Sequence, residues 1–480
     1  MSNSLPITVV SPLNVTAGAS VVLHSGVNIS TPVMIYGATD GDADGVLTLQ
    51  SGAMIGGAVM FFGGGVFNDA TGAAASYQFF GGGGAIHLSA AGSTANISNT
   101  AGHWDSVYGS RETVKINGGE TNVVGDDNLV SFAAGSHNQV SLYGGASRWN
   151  TVVGSNGTAM LSSGNASFVG GGDTIYAAAG SWASLYSTHG VADRVHASTA
   201  FLILNGVEAQ IAGGGDVIMT NGASTLTLSA TQGAWDVVTG SDDTIALAGA
   251  QASIVGGDET ISATPGSWMS LYGTGGHADQ VTATDAYVIV NSAQAAIAGG
   301  GNDIFTTGAA SVSLSGTNGA WDTLRGSGAQ IALNGAQASI LGGDDVIAAS
   351  NSLFSLFQTN GHADTIAGSY NGVALVDAQA QLQGGHDTIY FNGASSLSVA
   401  GGDDVFHFNA AMGTAAISGF NLTDTLSLSA TDWTSFQALL GSGALTQVGS
   451  DTMIRLDAHN AITLAGVQAA TLTAAQFVFA

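Results

Sequence analysis

A period of 43 positions constrains this chain more than any other property. Leu142, Leu185, Leu228, Leu271 and Leu314 follow one another at intervals of 43, and Leu356 comes 42 later. Eight positions after each of these stands a polar residue: Asn150, Asp193, Asp236, Asp279, Asp322 and Asp364. Phe168, Ile211, Ile254, Ile297, Ile340 and Leu382 form a second ladder in the same phase. Leu161, Leu204, Leu247, Val290, Leu333 and Leu375 form a third. Self-similarity at a fixed period marks a repeat protein, in which one unit cannot bury its apolar face alone and stacking supplies the core.

Each repeat subdivides. Asp173 and Asp193 are separated by 20 positions, Asp193 and Asp216 by 23, and Asp216 and Asp236 by 20. Several sub-units open alike, as in Asp173-Thr174-Ile175 and Asp216-Val217-Ile218. This spacing predicts a coil of about 21 residues, two to a repeat. Segments such as Thr225-Leu226-Thr227-Leu228-Ser229 alternate apolar and polar residues with period two, as a half-buried strand does. Asn-Gly, Gly-Ser and Gly-Gly pairs punctuate them as turns. The expected fold is all-β: a parallel β-solenoid of the β-helix or β-roll kind, with Leu185, Leu228 and Leu271 stacked on one another. An 86-residue super-repeat overlies it. Trp149, Trp235 and Trp321 precede the polar anchor in alternate units, whereas Ala192, Ala278 and Ala363, with His189, His277 and His362 nearby, mark the others. Packing alternation accounts for this, or a row of Trp available for stacking on sugars.

Composition narrows the function. Acidic residues number 33 and basic ones 6, a net charge of −27, which disfavours nucleic acid and anionic membranes as partners. With no Cys there is neither a disulfide framework nor a thiolate metal site. No apolar run is long enough for a transmembrane helix, so membrane insertion is not expected. Met1-Ser2-Asn3-Ser4-Leu5-Pro6 lacks the basic start and apolar core of a cleaved signal peptide.

Three regions follow. Residues 1–95 carry degenerate turns, among them Phe61-Phe62-Gly63-Gly64-Gly65, and read as a cap with irregular coils. Residues 96–400 hold the array. Residues 401–480 change character. Gly401-Gly402-Asp403-Asp404-Val405-Phe406-His407-Phe408 leads into Ile417-Ser418-Gly419-Phe420-Asn421 and Asp424-Thr425-Leu426. A short helical stretch at about 433–440 follows, and the chain ends Gln476-Phe477-Val478-Phe479-Ala480. This closing segment resembles the C-terminal region of RTX (hemolysin-type, calcium-binding-repeat) proteins. The resemblance implies an uncleaved C-terminal signal, type I secretion and an extracellular or cell-surface location. The Gly-Gly-x-Asp-x-Ile turns upstream are similar to the RTX calcium-binding nonapeptide. Only Asp387 and Asp404, 17 positions apart, approach its spacing.

Calcium is accordingly the one cofactor to consider, since it takes six to eight oxygen ligands. The candidate ligands are Asp40, Asp42 and Asp44 in a D-x-D-x-D-G run, and Asp387, Asp403 and Asp404. The competing role for these aspartates is capping turns by accepting nearby amide hydrogens. For catalysis, an acidic-polysaccharide lyase or epimerase needs a cation to neutralise the uronate and a base to take a proton. The six cationic residues, Arg111, Lys115, Arg148, Arg194, Arg325 and Arg455, share no repeat position. Arg111, Lys115 and Glu112 form either a small site or a surface ion cluster. No catalytic constellation stands out, and a non-enzymatic role is expected. The sequence points to a secreted structural or adhesive protein that associates with itself or with cell-surface or matrix polysaccharide. A polysaccharide-active enzyme or a calcium-dependent glycan-binding module is the alternative.

Overall fold

Alternation of apolar and polar residues, broken every four to six positions by glycine or a polar turn, produces short strands throughout. The computed structural model describes residues 7–38, 44–100, 102–134, 137–144, 148–409, 412–428 and 433–479. The chain divides into two compact units, Met1–Thr244 and Ile245–Ala480, each a stretch of parallel β-solenoid.

Within the first unit, consecutive strands alternate between two parallel sheets. Asn165–Val169, Trp182–Tyr186, Phe201–Asn205 and Val217–Thr220 are neighbours in one sheet. Thr174–Ala177, Asp193–Ala197, Glu208–Ala212 and Thr225–Ser229, which lie between them in sequence, are neighbours in the other. The second unit repeats the plan, with Gln251–Val255, Trp268–Tyr272 and Tyr287–Asn291 in one sheet and Gln294–Ala298, Ser311–Ser315 and Gln330–Asn334 in the other. One coil is therefore strand, corner, strand, corner.

The solenoid is as the periodicity predicts, but its coil is shorter than half a repeat. Phe168 pairs with Leu185, 17 positions on, and Leu185 with Leu204, 19 on. Phe201 pairs with Val217, 16 on, and Val217 with Val237, 20 on. Five strands fill each 43-residue repeat, and an odd number of strands carries equivalent residues to opposite sheets. In the first unit Leu185 and Leu228 thus lie in different sheets, as do Leu271 and Leu314 in the second. The expected stacking of Leu185 directly beneath Leu228 is incorrect. What stacks is one member of each ladder in turn: Phe168, Leu185 and Leu204 in one column, Ile254, Leu271 and Val290 in another, Ile340, Leu356 and Leu375 in a third. The spacing misled because intervals between acidic residues mix two distances. Asp173 to Asp193 is one full coil on one side; Asp193 to Asp216 is a coil and a half, ending on the other.

All nine of these column residues are buried. Full burial of a Leu or Ile contributes about 1.5–3 kcal/mol, so the stacked columns hold the coils without disulfides. The sheet switch also explains the 86-residue super-repeat. In the first unit Trp149 and Trp235 sit at the corner that enters one sheet, and His189 at the corner that enters the other. In the second unit Trp321 and the pair His277 and His362 divide in the same way.

Both chain-end regions depart from the two-strand coil. At the start a third sheet is present, formed by Ile7–Val9, Val27–Ile29 and Met54–Ile55. Near the end, Thr414–Ser418 pairs in parallel with Ala461–Ala465, which then pairs antiparallel with Asp451–Arg455, itself antiparallel to Leu445–Val448. A helix, Phe436–Ser442, begins where the Ser435 hydroxyl accepts the Ala438 amide hydrogen at 3.2 Å. Phe436 stacks on Phe477, whose strand pairs with Thr425–Leu428.

Candidate functional site

The corners hold the chemistry. At several of them a glycine in the left-handed region lies within three positions of a buried polar residue. At Gly299 (φ 113°) a side chain would strike the carbonyl of Ala283 in the preceding coil; at Gly342 (φ 134°) it would strike the carbonyl of Gly326. Only glycine meets both conditions. The buried residue then reaches to the coil before it. Asp173 Oδ1 accepts the Gly157 amide at 2.7 Å, and Asp193 Oδ1 accepts the Asp173 amide at 2.9 Å. Likewise Asp216 accepts from Ala200 at 2.8 Å and Asp236 from Asp216 at 3.0 Å. In the second unit Asp345 accepts from Ala329 at 2.8 Å and Asp364 from Asp345 at 3.0 Å. Burial raises these carboxyls from their ordinary value of 3.8 to about 6 at Asp173 and Asp345, and to about 7 at Asp193, Asp236 and Asp364.

Of the candidate calcium ligands, Asp40 and Asp42 lie outside the described residues. Asp44 is exposed and accepts the Ala38 amide at 2.8 Å. Asp387 and Asp404 are buried members of the corner column: Asp387 accepts from Asn371 at 2.7 Å, and Asp404 from Asp387 at 2.9 Å. Asp403 faces outward (φ 62°), with its carboxylate 4.0 Å from His386. The acidic doublets thus divide their labour, one residue turning the chain outside and the next capping an amide inside. Among the described residues no three acidic or histidine side chains gather as metal ligands. Asp387 and Asp404 each place one carboxylate oxygen on an amide of the preceding coil.

Arg111 and Glu112 come together, and Lys115 leaves them. Arg111 (3.8 Å) and Arg148 (2.6 Å) both pair with Asp127, beside an open cleft of about 360 Å³ that also borders Ser110, Glu112 and Asp126. Glu112 occupies a corner-column position: its amide donates to Asn128 Oδ1 at 2.9 Å, and burial raises its carboxyl to about 7. The two exposed guanidiniums share one carboxylate, Asp127, in a surface ion cluster. Lys115 projects from a sheet face into a groove of about 450 Å³, with Gln78, Asn96 and Ser131 around it.

Sequence reasoning missed one surface feature. Outward-facing rings pair between coils: Tyr176 with His196 at 4.9 Å, Trp182 with Phe201 at 4.5 Å, Trp268 with Tyr287 at 4.1 Å, and Tyr390 with His407 at 4.8 Å. Tyr176 and His196 border an open groove of about 690 Å³, whose other walls include Met160, Ala212 and Gln232. The signal was available, since Tyr176 and His196 are separated by the same interval as Asp173 and Asp193.

No family model matches the chain, and no curated protein does. Among solved structures it is similar to the extracellular lipase LipA from Serratia marcescens, at 13% identity, with 55% of this chain and 45% of the lipase covered and a TM-score of 0.19. The chain thus spans under half of that protein's length.

Proposed function

We propose that this is a secreted structural or adhesive protein whose product is its repeated surface. The observation that carries the reading is the uniformity of the coils. Among the described residues the same strand-and-corner unit recurs, and the cavities bordering it are open grooves. Arg111, Arg148 and Arg325 each pair with a part-exposed aspartate. Secretion would follow the type I route, with residues 401–480 as the uncleaved signal; the RTX resemblance of that segment supports it.

Two experiments test this. Residues 401–480 fused to a reporter in a cell with a type I exporter should send it to the medium, and retention would contradict the route. Purified full-length protein, viewed by negative staining and added to cells, should assemble or coat the surface. Strictly monomeric, non-adherent particles would contradict the role.

Glycan binding is the second reading. It is favoured by the Tyr176–His196 pair bordering an open groove, because an aromatic platform beside polar side chains suits a pyranose ring. Tyr176→Ala should then abolish retention on the glycan that the native protein binds.

A further inference from the structure

At several corners the second carboxylate oxygen has no evident partner. Asp193, Asp216, Asp236, Asp279, Asp322 and Asp364 all bury Oδ2 without a hydrogen bond, while Oδ1 holds the amide of the coil before. A buried ionised oxygen left this way is costly, and a neutral one much less so.

The chain itself shows what belongs there. Asn302 stands 86 positions after Asp216 and makes the same contacts: its Oδ1 accepts the Ala286 amide at 3.1 Å, and its own amide donates to Asp322 at 2.9 Å. Its Nδ2 also donates to the carbonyl of Ala283 at 3.2 Å. Asn150, which stands 86 positions before Asp236, donates from Nδ2 to the carbonyl of Gly125 at 3.1 Å. At two equivalent positions, then, the atom replaced by aspartate Oδ2 is a hydrogen-bond donor facing a backbone carbonyl. An ionised carboxylate has no proton to offer a carbonyl; a carboxylic acid has one.

We propose that the buried corner aspartates are neutral carboxylic acids whose Oδ2–H does the work of the asparagine NH₂, so that the coils lock in acid and loosen as the pH rises to neutrality. The charges bearing on these groups oppose ionisation. Asp173 faces Asp193, Asp216 faces Asp236, Asp258 bears on Asp279, and Asp344 and Asp345 bear on Asp364. Asp258 and Asp344 lie in the outer turns, paired with His277 (3.1 Å) and His362 (2.9 Å). Burial alone raises Asp216, and Asp322 rises to about 6 with no charged group contributing. No lysine or arginine contributes to any of them.

The sign follows from proton linkage. Below about pH 4 the group is protonated in both the folded and unfolded chain and has no effect. Between its ordinary value of 3.8 and the raised values of about 6 to 7, only the unfolded chain releases the proton, so stability falls as pH rises. Above about pH 7 the loss is complete and the dependence levels off.

Two exchanges on the full-length chain test this, in high salt so that the net charge of −27 is screened. Denaturant unfolding midpoints are read at pH 3 and pH 8, on either side of the window in which the folded and unfolded chains differ in protonation. Asp216→Asn should raise the midpoint at pH 8 and leave it nearly unchanged at pH 3. Asn302→Asp should lower it at pH 8 and leave it nearly unchanged at pH 3. The folding constant should change about tenfold for each unit by which the carboxyl is raised. Equal shifts at both pH values, or a lower midpoint for Asp216→Asn at pH 8, overturn the proposal. The native protein gives a reading that needs no variant: infrared bands of protonated carboxyl should persist at pH 6, and their absence there overturns it as well.

Discussion

The repeating coils of the second unit and its last described segments, residues 412–428 and 433–479, bury apolar side chains by different means. In the coils each inward residue lies on a like residue 16 to 20 positions away, as Leu271 lies between Ile254 and Val290. In the last segments the two-strand coil gives way, although Ala461–Ala465 and Phe477–Phe479 still pair in parallel with Thr414–Ser418 and Thr425–Leu428. The strand Ala461–Ala465 is reached after a helix and a hairpin, and its partner Thr414–Ser418 is 47 positions back. The Leu439 side chain of the helix is fully buried, and Phe477 takes a place in the opposite sheet. Repetition builds the columns, and a single non-repeating arrangement covers the strands that follow them.

Four substitutions would sharpen or break this contrast. Leu271→Ala should cost about 2–5 kcal/mol in denaturant unfolding, because neighbours in the coils above and below hold the cavity open. A cost below about 1 kcal/mol would mean that the columns do not carry the fold. Gly342→Ala comes next, at about 1–3 kcal/mol for a non-glycine residue in that conformation, with the clash against the Gly326 carbonyl added. Phe477→Ala should act locally. Amides of Thr425–Leu428 should exchange faster with deuterium while those around Leu271 keep their protection. Uniform loosening of both would show that the closing segment and the coils unfold as one. Arg325→Ala should matter least, at under about 1 kcal/mol and less in high salt, since its 3.0 Å pair with Asp303 is part-exposed.

The sequence made the class of fold plain, because ladders in phase have few explanations other than stacked coils. It did not disclose the coil length. Asp193 and Asp216 look like successive copies of one position, and only pairing shows that they occupy corners of different sheets. The Trp and His alternation carried that information, in that a repeat returning to its own environment only every second time must change sides. The helix near residue 436 was legible from its spacing, with its start and end shifted by two or three positions. At the corners, capping by aspartate was foreseen as the alternative to calcium. That Asp344 and Asp345 face opposite ways was not, because neighbouring residues in a strand-like reading differ only by parity, whereas a corner turns one outward in the left-handed region and the other inward. Glu112 was singled out for its charged neighbours, and its buried corner position follows from coil pairing rather than from composition.

The most direct test concerns which residues are neighbours across coils. The chain has no cysteine, so introduced pairs are the only thiols. Tyr186 pairs with Asn205 in one sheet, whereas Ser229, 43 positions after Tyr186, lies in the other. Under mild oxidation the double variant Tyr186→Cys/Asn205→Cys should form its disulfide readily, as adjacent strands bring the two within bonding reach. Tyr186→Cys/Ser229→Cys should stay reduced. A disulfide in the second pair and none in the first would show that residues one repeat apart stack directly, and five strands per repeat would be wrong.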